Sequence, residues 1–252
     1  MTKQEALFEF LIRKADDSLI LGHRLSEWCG HGPILEEDIA LTNIALDLIG
    51  QATELYKYAA EIEGKGRTED DLAFLRLEKD YKNVLLVEQP NGDFGKTIAR
   101  QFFFDHFESL MFSALTESKD QHLAAIASKA ILEIKYHLKH SSEWMIRLGD
   151  GTEESHNRVQ TSVNDLARFI DELFYQDEVD AILIKEGIIP DAKNFRAEFD
   201  KNIEEVLSEA TLQLPEDNWQ IDGGRRGVHS EHLGYLLTEL QYMQRTYPGM
   251  EW

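Results

Sequence analysis

Apolar side chains recur every three to four residues from about Gln4 to Trp28, the period of a helix laid against a core, and Gly30, Gly32 and Pro33 then break the pattern. A second periodic segment runs from Glu36 to Glu63. Its acidic opening, Glu36-Glu37-Asp38, suits the positive end of a helix, and Gly64 and Gly66 close it. Thr68 followed three residues later by Asp71 predicts a capping box and a shorter helix reaching about Leu86. Pro90-Asn91-Gly92 predicts a turn, Asp93 to Leu115 a third long helix, and Asp120 a cap for a fourth that ends near Leu148. Beyond Gly149-Asp150-Gly151, Thr152 caps a fifth helix expected from Glu153 to Phe174. Residues 176–220 read as shorter helices with an irregular stretch around Pro215, and a last helix is expected from His229 to Thr246, before Pro248-Gly249. Neither β-branched alternation nor a tandem repeat is present. The pattern predicts an all-α chain: one domain over 1–252, with a four-helix bundle core at about 4–148 and additional helices at about 152–247.

The second and third helices differ from ordinary amphipathic ones. Between Ile39 and Ala60 the only charged residues are Asp47, Glu54 and Lys57, and the third helix carries Phe102, Phe103, Phe104, Phe107, Leu110, Met111 and Phe112 on several faces. A helix apolar nearly all round is expected to be central, so both are placed inside the bundle. In the last helix Leu233, Leu236, Leu237, Leu240 and Met243 form a core stripe. Tyr235 and Tyr242 lie on another face, with Tyr247 and Trp252 beyond, as expected of either an interface or packing on the chain's own body.

Composition narrows the function classes. Acids outnumber bases, 47 against 26, for a net charge of −21, which argues against nucleic acid and anionic membranes and suits a basic protein partner or simple solubility. The lone Cys29 can build neither an internal disulfide nor a zinc ribbon. No stretch approaches the ~18 apolar residues of a membrane span, and the opening Met-Thr-Lys-Gln-Glu lacks an apolar signal segment, so the cytoplasm is the expected location.

Inside a helical bundle the chemistry to look for is a dinuclear carboxylate site: an acid on each of two helices and Glu-x-x-His on the other two, which sets carboxylate and imidazole one turn apart on one face. Four acids stand where such ligands are expected: Asp16 or Asp17 on the first helix, Asp47 on the second within the polar stripe Asn43, Asp47 and Gln51, Asp105 on the third and Glu133 on the fourth. The imidazoles are missing. Gly50 follows Asp47 by three and Tyr136 follows Glu133 by three. His137 and His140 lie close enough to Glu133 for an irregular half-site, but Lys129, Glu133, His137 and His140 also read as a solvated stripe. An Asp47 buried in so apolar a helix needs a charged or hydrogen-bonding partner, for which Lys14, Lys129 and Lys135 are candidates. Glu153-x-x-His156 sits at a helix start and reads as capping. His229-x-x-His232 has no second ligand pair. There is no phosphate-cradling loop, G-x-S-x-G elbow or catalytic Cys–His signature.

Several segments together resemble one family. They are Leu25-Ser26-Glu27-Trp28-Cys29-Gly30-His31-Gly32-Pro33, Asn43 to Ala52 (NIALDLIGQA), Leu85-Leu86-Val87-Glu88-Gln89-Pro90-Asn91-Gly92, Tyr136-His137-Leu138, Leu148-Gly149-Asp150-Gly151-Thr152, His229-Ser230-Glu231-His232-Leu233-Gly234 and the tail Gln241-Tyr242-Met243-Gln244-Arg245 with Pro248-Gly249 and Trp252. This set resembles the C subunits of phenylacetyl-CoA epoxidase, also called ring 1,2-phenylacetyl-CoA monooxygenase. The resemblance implies a ferritin-like fold and a structural, non-catalytic subunit without an intact metal site, Asp17, Asp47, Asp105 and Glu133 marking its vestige. It implies a stable complex with a di-iron catalytic A subunit, a small B subunit and, indirectly, a flavin/iron–sulfur reductase, with no cofactor in this chain. It also implies that Asp80, Tyr81, Lys82 and Asn83, and Ala181, Ile182 and Leu183, lie near bound acyl-CoA, although Lys82 and Asn83 read more plainly as polar side chains facing water. Two other readings stand beside it: a chain that is itself a di-iron oxygenase, and a stand-alone ferritin-like binding protein.

Overall fold

The structure is a computed structural model and describes residues 1–216 and 219–250. Among them are eleven α-helices and no strand: α1 (Lys3–Ser26), α2 (Leu35–Glu63), α3 (Glu69–Phe74), α4 (Leu85–Glu88), α5 (Phe94–Leu115), α6 (Gln121–Gly149), α7 (Glu153–Leu166), α8 (Glu178–Glu186), α9 (Arg196–Glu209), α10 (Glu231–Leu240) and α11 (Tyr242–Thr246). By backbone contacts they fall into two compact units. The first holds residues 1–89 and 223–252, the second 90–222.

In the first unit α1 and α2 pack along each other. Thr2 and Glu5 form a reciprocal capping box at the start of α1, and Gly64, with φ 65°, closes α2 in the left-handed conformation that glycine adopts without steric cost. Gly22 sets the closeness of the pair: a Cβ there would lie 3.0 Å from Cγ1 of Ile49 and 3.2 Å from the carbonyl of Ala45. Thr68 and Asp71 make the expected capping box of α3. The helix expected to continue to Leu86 instead breaks into α3, a short 3-10 turn at Glu78–Asp80 and α4. The cause lies in α1: its buried carboxylates Asp16 and Asp17 accept the backbone N–H groups of Lys82 and Val84 at 2.7 and 2.9 Å, which draws residues 81–84 out of the helical path. The last helix also divides, because Gln241 turns its amide inward to the carbonyl of Arg76 at 3.0 Å and the hydroxyl of Tyr81 at 2.9 Å.

In the second unit α5 runs along α6 and is flanked by α7 and α9. Asp120 and Thr152 cap α6 and α7 as expected, and Asp93 caps α5. The fifth helix ends at Leu166 rather than Phe174, giving way to 3-10 turns at Ala167–Phe169 and Asp171–Phe174. Phe107, Phe174 and Phe199 stack edge to face at 5.2 Å between centroids, joining α5, a 3-10 turn and α9.

The two helices expected to be central part company. Phe102, Phe103, Phe104, Phe107, Met111 and Phe112 of α5 are buried, as the all-round apolar pattern requires. α2 is not wrapped. Leu35 is 71%, Ile39 52% and Leu46 61% exposed, and Asn43 and Gly50 are exposed between and beyond them. The apolar residues of its outer face are uncovered within this chain, which corrects the placement of α2 as an internal helix.

Candidate functional site

α1 buries an unusual set of charges: Arg13, Lys14, Asp16 and Asp17 are each no more than 5% exposed. A buried carboxylate must find both a counter-charge and enough donors, since its desolvation penalty is several kcal/mol, roughly. Asp17 finds them in Arg225, whose Nη1 and Nη2 donate to Oδ1 and Oδ2 at 3.1 and 2.7 Å. The N–H of Val84 donates to Oδ1, and the Lys14 ammonium lies 3.4 Å from Oδ2. Asp16 is held in the same way by Arg76, with Nη1 donating to Oδ2 at 3.0 Å and Nη2 to Oδ1, while the Tyr56 hydroxyl also donates to Oδ1. Burial and the Asp16 charge push the Tyr56 phenol well above its ordinary pKa, so it remains a donor. Arg76 also lies over the ring of Tyr81, its guanidinium carbon 4.2 Å from the ring centroid. Both fork-to-carboxylate pairs are the geometry in which arginine satisfies a carboxylate most fully.

Of the lysines proposed as counter-charges, Lys14 lies against Asp17, and Lys129 and Lys135 are exposed. Sequence reasoning missed both arginines. Arg76 lies in a segment expected to be helix. The signal for Arg225 was available in Gly223-Gly224-Arg225-Arg226-Gly227, a glycine-flanked basic turn far from α1 in sequence.

Asp105 lies in the second unit and is buried. The Gln101 amide donates to its Oδ1 at 2.5 Å and the Ser141 hydroxyl to its Oδ2 at 2.8 Å. Burial raises its pKa to about 7 against the partly offsetting His137 and these two hydrogen bonds. His137 is buried, so the solvated-stripe reading of α6 fails at that residue, although Lys129 is exposed and Glu133 and His140 are half-buried. Asp47 is half-buried too, not sealed in the core as its apolar neighbours suggested, and its stripe is divided, with Gln51 buried and Asn43 exposed. Asp17 and Asp47 belong to the first unit, Asp105 and Glu133 to the second. Among the described residues no group of three or more His, Cys, Asp or Glu side chains is arranged to hold a metal ion. At Asp17 an incoming metal would have to displace a guanidinium.

The segments tied to acyl-CoA divide by burial. The Tyr81 hydroxyl donates to the carbonyl of Ala73 and the Asn83 amide to Glu88 at 3.1 Å, both side chains being wholly buried, while Asp80 is exposed and Lys82 half-buried. In α8, Leu183 is buried, Ile182 half-buried and Ala181 exposed. Glu153 is exposed beside its cap, and Nδ1 of His156 contacts the Gly149 carbonyl at 2.8 Å, which agrees with a capping role. His229 meets Glu88, whereas the carbonyl of His232 accepts from Arg24 at 3.2 Å. Tyr235, Tyr242 and Tyr247 are exposed, Trp252 lies outside the described residues, and Cys29 is an exposed free thiol. No helix among the described residues is long and apolar enough to cross a membrane.

Comparison with known proteins agrees with this reading of the fold. The chain matches the phenylacetic acid catabolic protein family over residues 1–252. It is 49% identical over 246 residues, 98% of this chain and 99% of the relative, to the C subunit of 1,2-phenylacetyl-CoA epoxidase of Escherichia coli (strain K12). The all-α architecture is that of the ferritin-like class. With its whole length matched and its relative covered end to end, the chain belongs to the phenylacetic acid catabolic protein family.

Proposed function

We propose that this chain is the structural, non-catalytic C subunit of a phenylacetyl-CoA epoxidase, binding and stabilising a di-iron catalytic subunit in the cytoplasm while carrying no metal itself. The observation that carries the proposal is Asp17: a carboxylate at a ligand position of the expected site has both oxygens engaged by the Arg225 fork, so a fixed cation from the chain stands where a metal would have to bind. The outer face of α2 supports the docking half. Leu35, Ile39 and Leu46 line one side of a helix at helical spacing and remain uncovered, with Gly50 lowering the surface beside them, an arrangement suited to close approach by a partner helix. The 49% identity to the C subunit of the Escherichia coli epoxidase supports the choice of complex, whose other parts would be the A and B subunits and, indirectly, the reductase.

Co-expression with the catalytic subunit of the same system, followed by gel filtration with light scattering and metal analysis, tests the reading. The two chains should co-elute, with iron accompanying the catalytic subunit and none in stoichiometric amount in this chain purified alone. Combined Leu35→Gln, Ile39→Gln and Leu46→Gln substitutions should abolish co-elution while leaving the melting of the isolated chain within about 1 kcal/mol of the parent, because exposed positions contribute little to its own fold. Two irons per isolated chain would favour the di-iron oxygenase reading instead. Failure of the parent chain to associate would favour a stand-alone binding protein.

A further inference from the structure

His229 and Glu88 form a further buried ion pair whose chemistry differs from that of the arginine pairs. Both side chains are fully enclosed. Nδ1 of His229 lies 2.9 Å from Oε2 of Glu88, and Nε2 lies 3.0 Å from the backbone carbonyl of Tyr81. Each ring nitrogen therefore faces an oxygen acceptor, and turning the ring over would put ring carbons against both, so the two contacts fix its orientation. Glu88 is already an acceptor elsewhere: the N–H of Ser230 donates to its Oε1 at 2.6 Å and the Asn83 amide to its Oε2 at 3.1 Å. A neutral imidazole has one N–H and can serve only one of the two acceptors, whereas the imidazolium serves both.

The pair sits where residues 223–232 cross residues 79–88. The crossing is tight. A Cβ on Gly224 would come 2.0 Å from the carbonyl oxygen of Asn83, and one on Gly227 would come 2.2 Å from that of Lys79. Lys82 also reaches the crossing, its Nζ lying 3.4 Å from where a Cβ on Gly227 would stand. On the α1 side Asp16 is bound by Arg76, Asp17 by Arg225, and Arg24 donates to the Glu88 carbonyl at 2.9 Å as well as to Glu27. Asp16 adds to the attraction of Glu88 for a positive imidazole, against the desolvation of the ring. α10 begins directly after the crossing, at Glu231.

We propose that His229 is a protonation-dependent clasp: as the imidazolium it fastens the segment carrying α10 and α11 to residues 81–88, and loss of its proton loosens that segment. The sign follows from the two acceptors. Contact with them raises the affinity of His229 for its proton above that of a free histidine, so the clasp is fully closed below the ordinary histidine pKa and opens as pH rises through the higher folded value. On opening, either the Glu88 or the Tyr81 contact is left without a donor. The segment that presents Tyr235 and Tyr242 would then lose one of its anchors.

The test uses the full chain. Nitrogen-15 NMR of labelled histidine should show the His229 ring with both nitrogens protonated at about pH 6 and titrating above the ordinary histidine value of 6.5. Hydrogen exchange, corrected for the intrinsic rate, should show protection of residues 231–246 falling about tenfold or more as His229 titrates, with no such change in α5 and α6. His229→Gln should remove the pH dependence of that protection, and Glu88→Gln should lower the His229 pKa. A His229 that titrates at or below 6.5, protection of residues 231–246 that stays flat across its titration, or a His229→Gln variant with parent-like pH dependence would each overturn the proposal.

Discussion

Removing Arg225 strips the two-point cation from a buried carboxylate and leaves it the Lys14 ammonium at 3.4 Å and the N–H of Val84. Asp17 is 1% exposed, and Arg225 supplies its two-point cation while also donating to the carbonyls of Arg13 and Lys82. Truncation of one partner of such a pair costs about 3–5 kcal/mol, because the remaining charge stays buried. Arg225→Ala should therefore lower the unfolding free energy by about that amount in chemical denaturation, and Asp17→Asn together with Arg225→Met should recover much of the loss. Asp47 should behave otherwise. Its apolar neighbours alone suggested a buried network, but it is half-buried on the outer side of α2, so Asp47→Ala should change stability by less than about 1 kcal/mol. Asp105 makes a pH prediction. Its folded pKa, near 7, lies above the ordinary value of 3.8, so between those values the folded state holds a proton that the unfolded chain has released. Its contribution to stability is present below about pH 4, declines as pH rises toward 7 and is level above that. Asp105→Asn should flatten this slope in melting curves taken from about pH 5 to 8, and equal slopes in the two proteins would show that another group is responsible.

At the scale of elements, the legible features were those encoded by neighbouring residues. Thr68, Asp120 and Thr152 cap helices as expected, and α1, α2, α5 and α6 begin and end within a few residues of their expected bounds, because capping and periodicity act over one or two turns. The breaks at 75–84 and at Gln241 were not legible, since their causes lie far away in sequence: carboxylates on α1 in one case, Arg76 and Tyr81 in the other. The outer face of α2 was misplaced for a different reason. An apolar stripe reports burial without saying against what, so a helix covered by its own chain and one left for a partner look alike in sequence. The arginines that hold Asp16 and Asp17 were not recognisable from spacing, because Arg76 and Arg225 lie 60 and 208 residues away along the chain. The turn carrying Arg225 makes a further prediction. Gly224→Ala would bring a methyl group to 2.0 Å from the backbone of Asn83, a clash no side-chain rotation relieves, so it should destabilise the first unit and raise hydrogen exchange at residues 223–240. Parent-like exchange there would mean that residues 223–227 do not lie against 79–84.

For the whole molecule, two surface properties pull on association in different ways. A net charge of −21 makes the chain repel copies of itself and draws a positively charged partner over distances set by the screening length. The uncovered face of α2 acts only at contact, and its energy comes from removing apolar area from water, which salt does not weaken. If the proposed partner subunit presents a basic rim around an apolar centre, the two contributions separate kinetically. Raising sodium chloride from about 50 to 500 mM should slow association by roughly tenfold or more while the dissociation rate changes little, because steering is electrostatic and the docked centre is apolar. Surface-based binding kinetics with this chain immobilised would measure both rates. In the variant carrying Leu35→Gln, Ile39→Gln and Leu46→Gln the pattern should reverse, with near-parent association and much faster dissociation. If salt leaves association unchanged and the parent still binds, the acidic surface serves solubility rather than recognition, and the apolar face of α2 alone selects the partner.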